Sequence, residues 1–220
     1  MVFSSVNTDF GVRVVLATES MEWLATTEGG ARRKHLDQID RAEASTTSIE
    51  KYAPHGSLHP TDREQGEEII ILEGALTDGT TTFSAGTYLR NPPGSHCPLL
   101  TDYGCVLFVK RYRFDSDDTD VVRIETATSP WVPGLVLGLS VMPLHQHRHK
   151  QAAMVRWKPG TYFQPHAHVG GEEILVLSGV FEDEHGRYPS GTWIRSPHMS
   201  RHKPFSREGC TIYVKTGHLT

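Results

Sequence analysis

Two stretches of this sequence, EEIIILEG at 67–74 and EEILVLSG at 172–179, are closely similar and lie 105 residues apart. The same shift superimposes further turn and charged residues without a gap, namely Asp78 on Asp183, Gly86 on Gly191, Arg90 on Arg195 and Pro92 on Pro197. Matches over so many positions at one spacing indicate an internal repeat. The chain is therefore predicted to be a duplication, with one half at 1–115 and the other at 116–220.

Each half consists of short apolar runs separated by turn residues, a pattern typical of β-strands. The runs 69–72 and 174–177 contain no polar residue, as expected for strands that are buried on both faces. No segment has an apolar stripe of helical period, so the charged segment 31–44 and its apolar counterpart 135–141 are both predicted to be strands. Many short strands with glycine-rich turns are typical of an antiparallel sandwich or barrel, which predicts an all-β fold.

The composition excludes several classes of protein. The chain has 220 residues, 37% of them hydrophobic, and a formal net charge of −4, so it lacks the basic surface expected for binding nucleic acid or anionic membranes. No apolar run approaches the roughly 20 residues of a membrane span, and the N-terminus does not resemble a signal peptide. The three cysteines, Cys97, Cys105 and Cys210, are too sparse for a disulfide framework, which favours a cytoplasmic location. Cys105 and Cys210 occupy equivalent positions, which indicates core packing.

A cluster of metal-binding residue types follows a turn in the second half. His166 and His168 are two positions apart, and Glu172 follows four positions later. Because residues i and i+2 of a strand point to the same face, both imidazoles can be directed at one point. Imidazole nitrogens and a carboxylate oxygen together suit a divalent transition metal. A single histidine is more often a surface or core residue, but the three residues together indicate a metal site.

The spacing around these residues resembles a known family. Gly160, His166, His168, Glu172 and Gly179 are separated by five, one, three and six residues, which fits the first cupin motif at every position. This resemblance concerns the second half of the chain, where the candidate ligands lie. It implies that the candidate ligands stand at the mouth of a small β-barrel.

The second cupin motif is partly preserved. Gly191, Pro197 and His202 match it, whereas Met199 and Ser206 stand where the motif usually has glycine and asparagine. The resemblance is most specific to the ChrR-like cupins, through the stretches GGEEILVL at 170–177, FEDEHGRYPSGT at 181–192 and YLRNPPGSH at 88–96, and it covers about 50–215. It implies a bicupin, which consists of two tandem double-stranded β-helix (jelly-roll) barrels.

The resemblance also implies a ligand set. It assigns the metal ligands to His166, His168, Glu172 and His202, with one divalent transition metal per chain, for which zinc, iron(II), manganese and nickel are the alternatives. Three imidazoles and one carboxylate leave coordination positions open for water or a small-molecule ligand. The residues that flank the site in sequence are candidates for an apolar pocket, with a plain core role as the alternative: Tyr162, Phe163, Trp193 and Met199.

The first half departs from this pattern at the ligand positions. Thr61 and Arg63 stand where the second half has its paired histidines, and only Glu67 and His96 remain of the four ligand positions. We expect a salt bridge between Arg63 and Glu67 in a barrel with a degenerate, metal-free site. A rearranged site that uses the nearby histidines is the alternative, and its candidates are His55 and His59.

A second group of histidines, at His145, His147 and His149, also has strand spacing. It contains no carboxylate, so the segment is predicted to be a solvated hairpin end rather than a metal site.

Two classes of function follow from the resemblance. One is a non-haem iron(II) dioxygenase that acts on a small enolisable substrate such as a diketone, with hydrolase or isomerase chemistry equally open. The other is a non-catalytic sensor of the ChrR anti-sigma-factor type. Residues 1–54 contain no cysteine, so we expect the zinc-binding domain that holds the sigma factor to be absent and a sigma factor to bind only through another surface. A homodimer through exposed sheet edges is the expected assembly.

Overall fold

The computed structural model describes residues 6–26, 31–39, 45–58, 65–95 and 98–219. Within these ranges the chain is built from antiparallel strands and a single 3-10 turn, Thr18–Ser20. In the same ranges, none of the helical structure has the length and apolar character that crossing a membrane would require.

The chain forms two compact units, which comprise residues 1–8 with 21–129 and residues 9–20 with 130–220. The first unit contains β2 (Leu24–Ala25), β3 (Arg32–Ile39), β4 (Ser45–Tyr52), β5 (Gly56–Leu58), β6 (Gly66–Thr77), β7 (Thr82–Ser84), β8 (Thr87–Asn91), β9 (Leu99–Thr101), β10 (Cys105–Tyr112) and β11 (Val122–Glu125). The second contains β1 (Val14–Ala17), β12 (Val132–Pro133), β13 (Leu139–His147), β14 (Lys150–Trp157), β15 (Thr161–Tyr162), β16 (His166–His168), β17 (Glu172–Asp183), β18 (Gly186–Pro189), β19 (Thr192–Ser196), β20 (Ser200–His202), β21 (Phe205–Ser206) and β22 (Cys210–Thr216).

The two units have the same topology. The main sheet of the first unit has the order β11-β8-β6-β10-β4-β3-β2, and that of the second has the order β1-β19-β17-β22-β14-β13-β12. The long strands β6 and β17 continue beyond these sheets and pair with short strands: β7 and β9 in the first unit, β18 and β21 in the second. Each unit therefore has two antiparallel layers around one core, and the predicted all-β duplication is confirmed.

One edge strand of each main sheet comes from the other half of the sequence. β1 pairs with β19 and places Val14 opposite Arg195, while β11 pairs with β8 and places Val122 opposite Arg90. The leading strand of each repeat therefore completes the sheet of the other repeat. For this reason the compact units differ from the sequence halves at 9–20 and 116–129, because ladder hydrogen bonding decides where an edge strand belongs.

The apolar runs are buried on both faces, as predicted. Ile69, Ile70 and Ile71 are almost inaccessible to solvent, and so are their counterparts at 174–176. The unpaired Cys105 and Cys210 belong to the apolar cores of the two units, which confirms their packing role. Cys97 lies outside the described residues.

Two segments with uncertain patterns are now placed. β3 confirms the strand expected within 31–44, but the strand expected at 135–141 begins only at Leu139. Residues 135–138 form a turn instead, closed by hydrogen bonds from Gly134 N to Leu139 O (2.9 Å) and from Leu139 N to Val136 O (3.1 Å). His145 and His147 end β13 before a tight turn to β14, as expected of a hairpin end.

Candidate metal centre

The centre lies on a two-stranded ribbon and the start of a long strand. β16 carries His166 and His168, and its pairing with β20 places His202 directly opposite His166. Gly170 and Gly171 then turn the chain into β17, whose first residue is Glu172. Both glycines have positive φ (76° and 73°), and a Cβ on Gly170 would approach Gly217 Cα to 2.6 Å. A side chain at this turn would therefore displace the backbone that brings Glu172 to the histidines.

The structure brings together the four residues that the sequence pattern singled out. Nitrogen atoms of His166, His168 and His202 all lie within 4.8 Å of one another. The Nε2 atoms of His168 and His202 are 3.0 Å apart. The two carboxylate oxygens of Glu172 lie 3.4 Å from His168 Nε2 and 3.6 Å from His202 Nε2.

These residues fit a divalent transition metal. Metal–nitrogen distances near 2.1 Å place neighbouring ligand atoms of an octahedron about 3.0 Å apart and those of a tetrahedron about 3.4 Å apart. The observed separations around His168 lie close to this range. Glu172 Oε2 is buried and has no hydrogen-bond partner among the described residues. A buried carboxylate oxygen without a donor is costly, and a cation would satisfy it.

The histidines are prepared to act as neutral ligands. His166 Nδ1 lies 3.0 Å from the carbonyl oxygen of Gln164, so Nδ1 carries the proton and Nε2 keeps its lone pair for the centre. Burial lowers the pKa of His166, and burial together with the two neighbouring imidazoles lowers the pKa of His168 to about 3. Both rings are therefore neutral at neutral pH, which is the form that binds metals.

The pKa values of Glu172 and His202 are both raised, in contrast to those of the other two histidines. Burial raises the pKa of Glu172 to about 7, against the opposing effect of His202. Burial alone would lower the pKa of His202, but the nearby carboxylates of Asp183 and Glu172 outweigh it, so the pKa is raised. A bound dication would favour the ionised carboxylate and the neutral imidazole.

The four residues open into a cavity of about 320 Å³ inside the second unit. Its wall is predominantly apolar and comes mainly from β13, β14 and β22, with loop residues at the rim: Leu135, Leu139, Val141, Ala153, Val155, Trp157, Phe163, Phe181, Pro204, Ile212 and Val214. Besides the metal-site residues, the wall contains the polar side chains of Gln151 and Thr216, and the indole N–H of Trp157 has no hydrogen-bond partner among the described residues. Within the described chain, no lysine or arginine lines this cavity.

Only one of the four pocket candidates from the sequence lies in this wall. Phe163 lines the cavity and contacts the ring of His166, with 5.0 Å between ring centroids. Tyr162 alternates outward and stacks on the exposed side of β21, and Trp193 is buried elsewhere, where it donates a hydrogen bond to Glu173. Met199 is half-exposed at a turn with φ of 61°, which accounts for the glycine that the motif usually has there.

Sequence reasoning missed the wall that β13 and β14 provide. Ala153, Val155 and Trp157 alternate along β14 with Ala152, Met154 and Arg156, and the first two of these are also apolar and buried. The sequence of β14 therefore does not distinguish the face that borders the cavity. The neighbouring strands leave the space open, and they are distant in sequence.

In the first unit, charged residues occupy the strand positions that correspond to three cavity-wall residues of the second unit. Glu50, Arg111 and Arg33 correspond to Val155, Thr216 and Val141 in the strand registers of the two sheets. Glu50 is buried and accepts hydrogen bonds from Arg111 Nη1 (2.6 Å) and Nη2 (3.2 Å), while Arg33 Nε lies 2.8 Å away. The interior that is an apolar cavity in one unit therefore holds an ion-pair network in the other.

Glu67, the retained ligand position of the first unit that lies within the described residues, takes part in this network. Glu67 accepts a hydrogen bond from Asn91 Nδ2 (2.9 Å) and lies 3.5 Å from Arg111 Nε. His55 is exposed at a turn with φ of 62°. His59, Thr61, Arg63 and His96 lie outside the described residues, and so does the expected salt bridge between Arg63 and Glu67.

Comparisons with known proteins agree with this architecture. No curated protein sequence matches the chain significantly. Among solved structures it is similar to Ylba from E. coli (14% identity, TM-score 0.74, covering 96% of this chain and 93% of that one). It is also similar to a protein from Nostoc punctiforme that is provisionally assigned as a dioxygenase (13%, TM-score 0.77, 93% and 82%). A third similar structure is the oxalate decarboxylase of Lactobacillus farciminis (11%, TM-score 0.64, 94% and 86%).

Identities this low establish the fold and no more, and with the duplicated topology they make the chain a bicupin. A family model matches each half of the sequence separately, which agrees with the repeat. The chain belongs to the ChrR cupin-like domain family, whose model matches residues 12–115 and again residues 119–220.

Proposed function

We propose that the chain is a metal-dependent enzyme that converts a small, uncharged, enolisable carbonyl compound, with dioxygenase chemistry as the specific reaction. One observation carries this proposal: three imidazoles and a buried carboxylate converge in the wall of a predominantly apolar cavity. A purely structural metal would need a closed ligand shell and no adjoining space.

Each ligand residue has a defined role in holding the ion. His166, His168 and His202 would supply neutral nitrogen atoms, and Glu172 would supply the negative charge that makes a dication favourable in a buried place. When bound, a divalent metal such as iron(II) supplies Lewis-acid polarisation and a template for the reacting oxygens. The chain itself would orient the substrate through the cavity wall.

The cavity wall selects the class of substrate. A volume of about 320 Å³ lies at the lower end of the range for ligand pockets, so the substrate is small. Val141, Val155 and Ile212 give no compensation to a buried charge, whereas they would favour an aliphatic group. Thr216, Gln151 and the indole N–H of Trp157, which has no partner among the described residues, are the hydrogen-bonding groups that could orient a carbonyl oxygen.

The same wall argues against an oxalate-type substrate. A dianion would lose its hydration without gaining a cation from the wall, and the carboxylate of Glu172 would repel it. The similarity to an oxalate decarboxylase therefore supports the fold, whereas the wall supports an uncharged substrate. A neutral diketone and oxalate consequently make a discriminating pair of test compounds.

The test begins with metal content. Protein purified without chelator should carry about one metal ion per chain, and His166→Ala and His202→Ala should each remove it. His185→Ala is the matched control, because His185 is an exposed turn residue of the same unit and should leave the metal in place. Full occupancy in both ligand variants would contradict the site.

The reaction is tested with iron(II)-loaded protein in an oxygen electrode. Pentane-2,4-dione and related diketones should cause metal-dependent oxygen consumption, and oxalate should yield neither oxygen consumption nor carbon dioxide. Metal binding without turnover of any compound in a broad panel would contradict the enzymatic proposal and favour the sensor.

A further inference from the structure

We propose, on the basis of the metal centre proposed above, that Asp183 is a positioning residue which fixes the ring of His202, and that Arg13 and Tyr188 hold it in place. The two ring nitrogens of His202 face opposite ways. Nε2 faces the centre, 3.0 Å from His168 Nε2, and Nδ1 faces away from it, 3.6 Å from Asp183 Oδ2. A carboxylate beside Nδ1 favours the tautomer that keeps its proton there and leaves Nε2 as the ligand atom.

Asp183 is itself held by two side chains. Its Oδ2 lies 2.7 Å from Arg13 Nη2, and its Oδ1 accepts a hydrogen bond of 2.8 Å from the Tyr188 hydroxyl. Arg13 also donates a 3.0 Å hydrogen bond to that hydroxyl. A guanidinium and a hydroxyl therefore hold the carboxylate of Asp183 in place beside His202.

The first unit shows which of these contacts the fold requires. Asp78 is the counterpart of Asp183, and its Oδ1 accepts hydrogen bonds from Thr80 N (2.9 Å) and Thr81 N (2.8 Å). Asp183 Oδ1 accepts the same kind of turn bonds, from His185 N (2.8 Å) and Gly186 N (3.1 Å). Capping this turn is therefore common to both units and needs only Oδ1.

The two positions that supply the partners of Asp183 hold other residues in the first unit. The position of Tyr188 is taken there by Phe83, which lacks the hydroxyl, and both residues lie on the strand that pairs with the end of the long strand. The position of Arg13, one residue before β1, is taken by the exposed Val121, one residue before β11. In the first unit the charge of Arg123 acts on Asp78 instead. What distinguishes Asp183 is the Tyr188 hydroxyl and the position of its Oδ2 beside His202 Nδ1, which indicates a role at the centre in addition to the turn.

The position of Arg13 also indicates a function for β1, the edge strand that comes from the other half of the sequence. Arg13 stands immediately before β1, the strand that the N-terminal part of the sequence adds to the second unit. The sheet edge contributed by β1 therefore brings the guanidinium to Asp183. Sequence reasoning could not place Arg13 at the site, because 170 residues separate it from Asp183.

The test measures metal affinity and the tautomer of His202 in the full-length protein. Asp183→Asn keeps a turn-capping oxygen but removes the charge, and it should weaken cobalt(II) binding about 10- to 100-fold. Asp78→Asn is the matched control at the equivalent turn and should change the affinity less than twofold. Arg13→Val and Tyr188→Phe install the residues of the first unit and should each weaken binding by a smaller factor.

The second measurement does not depend on a metal. In metal-free protein labelled with nitrogen-15 at histidine, at alkaline pH, His202 should carry its proton on Nδ1, and Asp183→Asn should move population to Nε2. Unchanged tautomer and unchanged affinity in Asp183→Asn would overturn the positioning role. If wild-type protein binds no metal, the proposed function fails, and the tautomer measurement still decides the role of Asp183. If Asp183→Asn does not fold, the same two measurements on Arg13→Val and Tyr188→Phe decide it.

Discussion

Glu50 and Val155 occupy the same position on equivalent strands, and the interiors around them have opposite polarity. Glu50 lies between the guanidinium groups of Arg33 and Arg111, whereas Val155 borders the cavity beside the metal-site residues. The duplication has kept one fold and filled its interior in two ways. The first unit has these interior ion pairs and no paired histidines at the equivalent positions, and the second unit has the histidines without the counterparts of Glu50, Arg33 and Arg111.

Replacing Glu50 by Gln should destabilise the first unit near neutral pH by about 3 kcal/mol. Burial alone would raise the pKa of Glu50, but Arg111 and then Arg33 outweigh it and lower the pKa from 4.5 to about 2. Because the folded-state pKa is depressed, this stabilisation is complete above about pH 4.5 and is lost as the pH falls towards 2. Urea unfolding at several pH values should therefore show the wild type and the variant converging in acid.

The control for this prediction is Glu73→Gln, which removes a carboxylate from an exposed position of the same sheet. It should change the free energy of unfolding by less than about 0.5 kcal/mol. A constant difference between Glu50→Gln and wild type from neutral pH to pH 2 would contradict the assignment.

Filling the cavity should separate ligand binding from metal binding. Ala153→Leu adds three carbon atoms to the cavity wall, and the closely packed surroundings cannot move far enough to restore the lost volume. Calorimetric titration of the metal-loaded protein with pentane-2,4-dione should therefore show at least about tenfold weaker binding. Metal content should stay at the wild-type value. The same substitution at the exposed Ala167, between the two histidines of β16, should leave both quantities unchanged.

The continuation of β17 beyond the main sheet should depend on Gly179. Gly179 has a φ of 71°, and a Cβ there would collide with the carbonyl oxygen of Gly209. Gly179→Ala should therefore lower the free energy of unfolding by at least about 3 kcal/mol, from backbone strain and a clash that backbone atoms cannot relieve. Gly160→Ala has a similar φ of 77° with no atom within 4 Å, so thermal unfolding should show a loss of only about 1 kcal/mol. Equal losses would show that the close approach to Gly209 is unimportant.

Restoring the motif's glycine at position 199 should stabilise the protein. Met199 has a φ of 61° and a half-exposed side chain, so Met199→Gly relieves strain and removes few contacts. The gain is expected to be about 0.5 kcal/mol, since the greater flexibility of glycine in the unfolded chain offsets part of it. Val169→Gly, at an exposed turn residue without positive φ, should instead reduce the stability in the same denaturant titration. A loss in both variants would contradict the strain at Met199.

Local pattern predicted a large part of this molecule. The repeat and its apolar runs indicated a duplicated all-β chain, because the period and the burial of a strand can be recognised from residues that are neighbours in sequence. Alternation along β16 also placed His166 and His168 on one face, and the motif spacing brought Glu172 and His202 towards them. These relationships lie within one or two strands, so they can be predicted without knowledge of the tertiary structure.

Other features depend on contacts between residues far apart in sequence. The exchange of β1 and β11 between the repeats, the approach of Arg13 to Asp183 and the cavity wall on β13 and β14 all arise from strand neighbours that no local period encodes. Tyr162 and Trp193 show the converse, because closeness to the histidines in sequence did not make them part of the wall. Periodicity determines which face of a strand is buried, whereas the packing of distant strands determines whether that face meets a core, an ion pair or an open cavity.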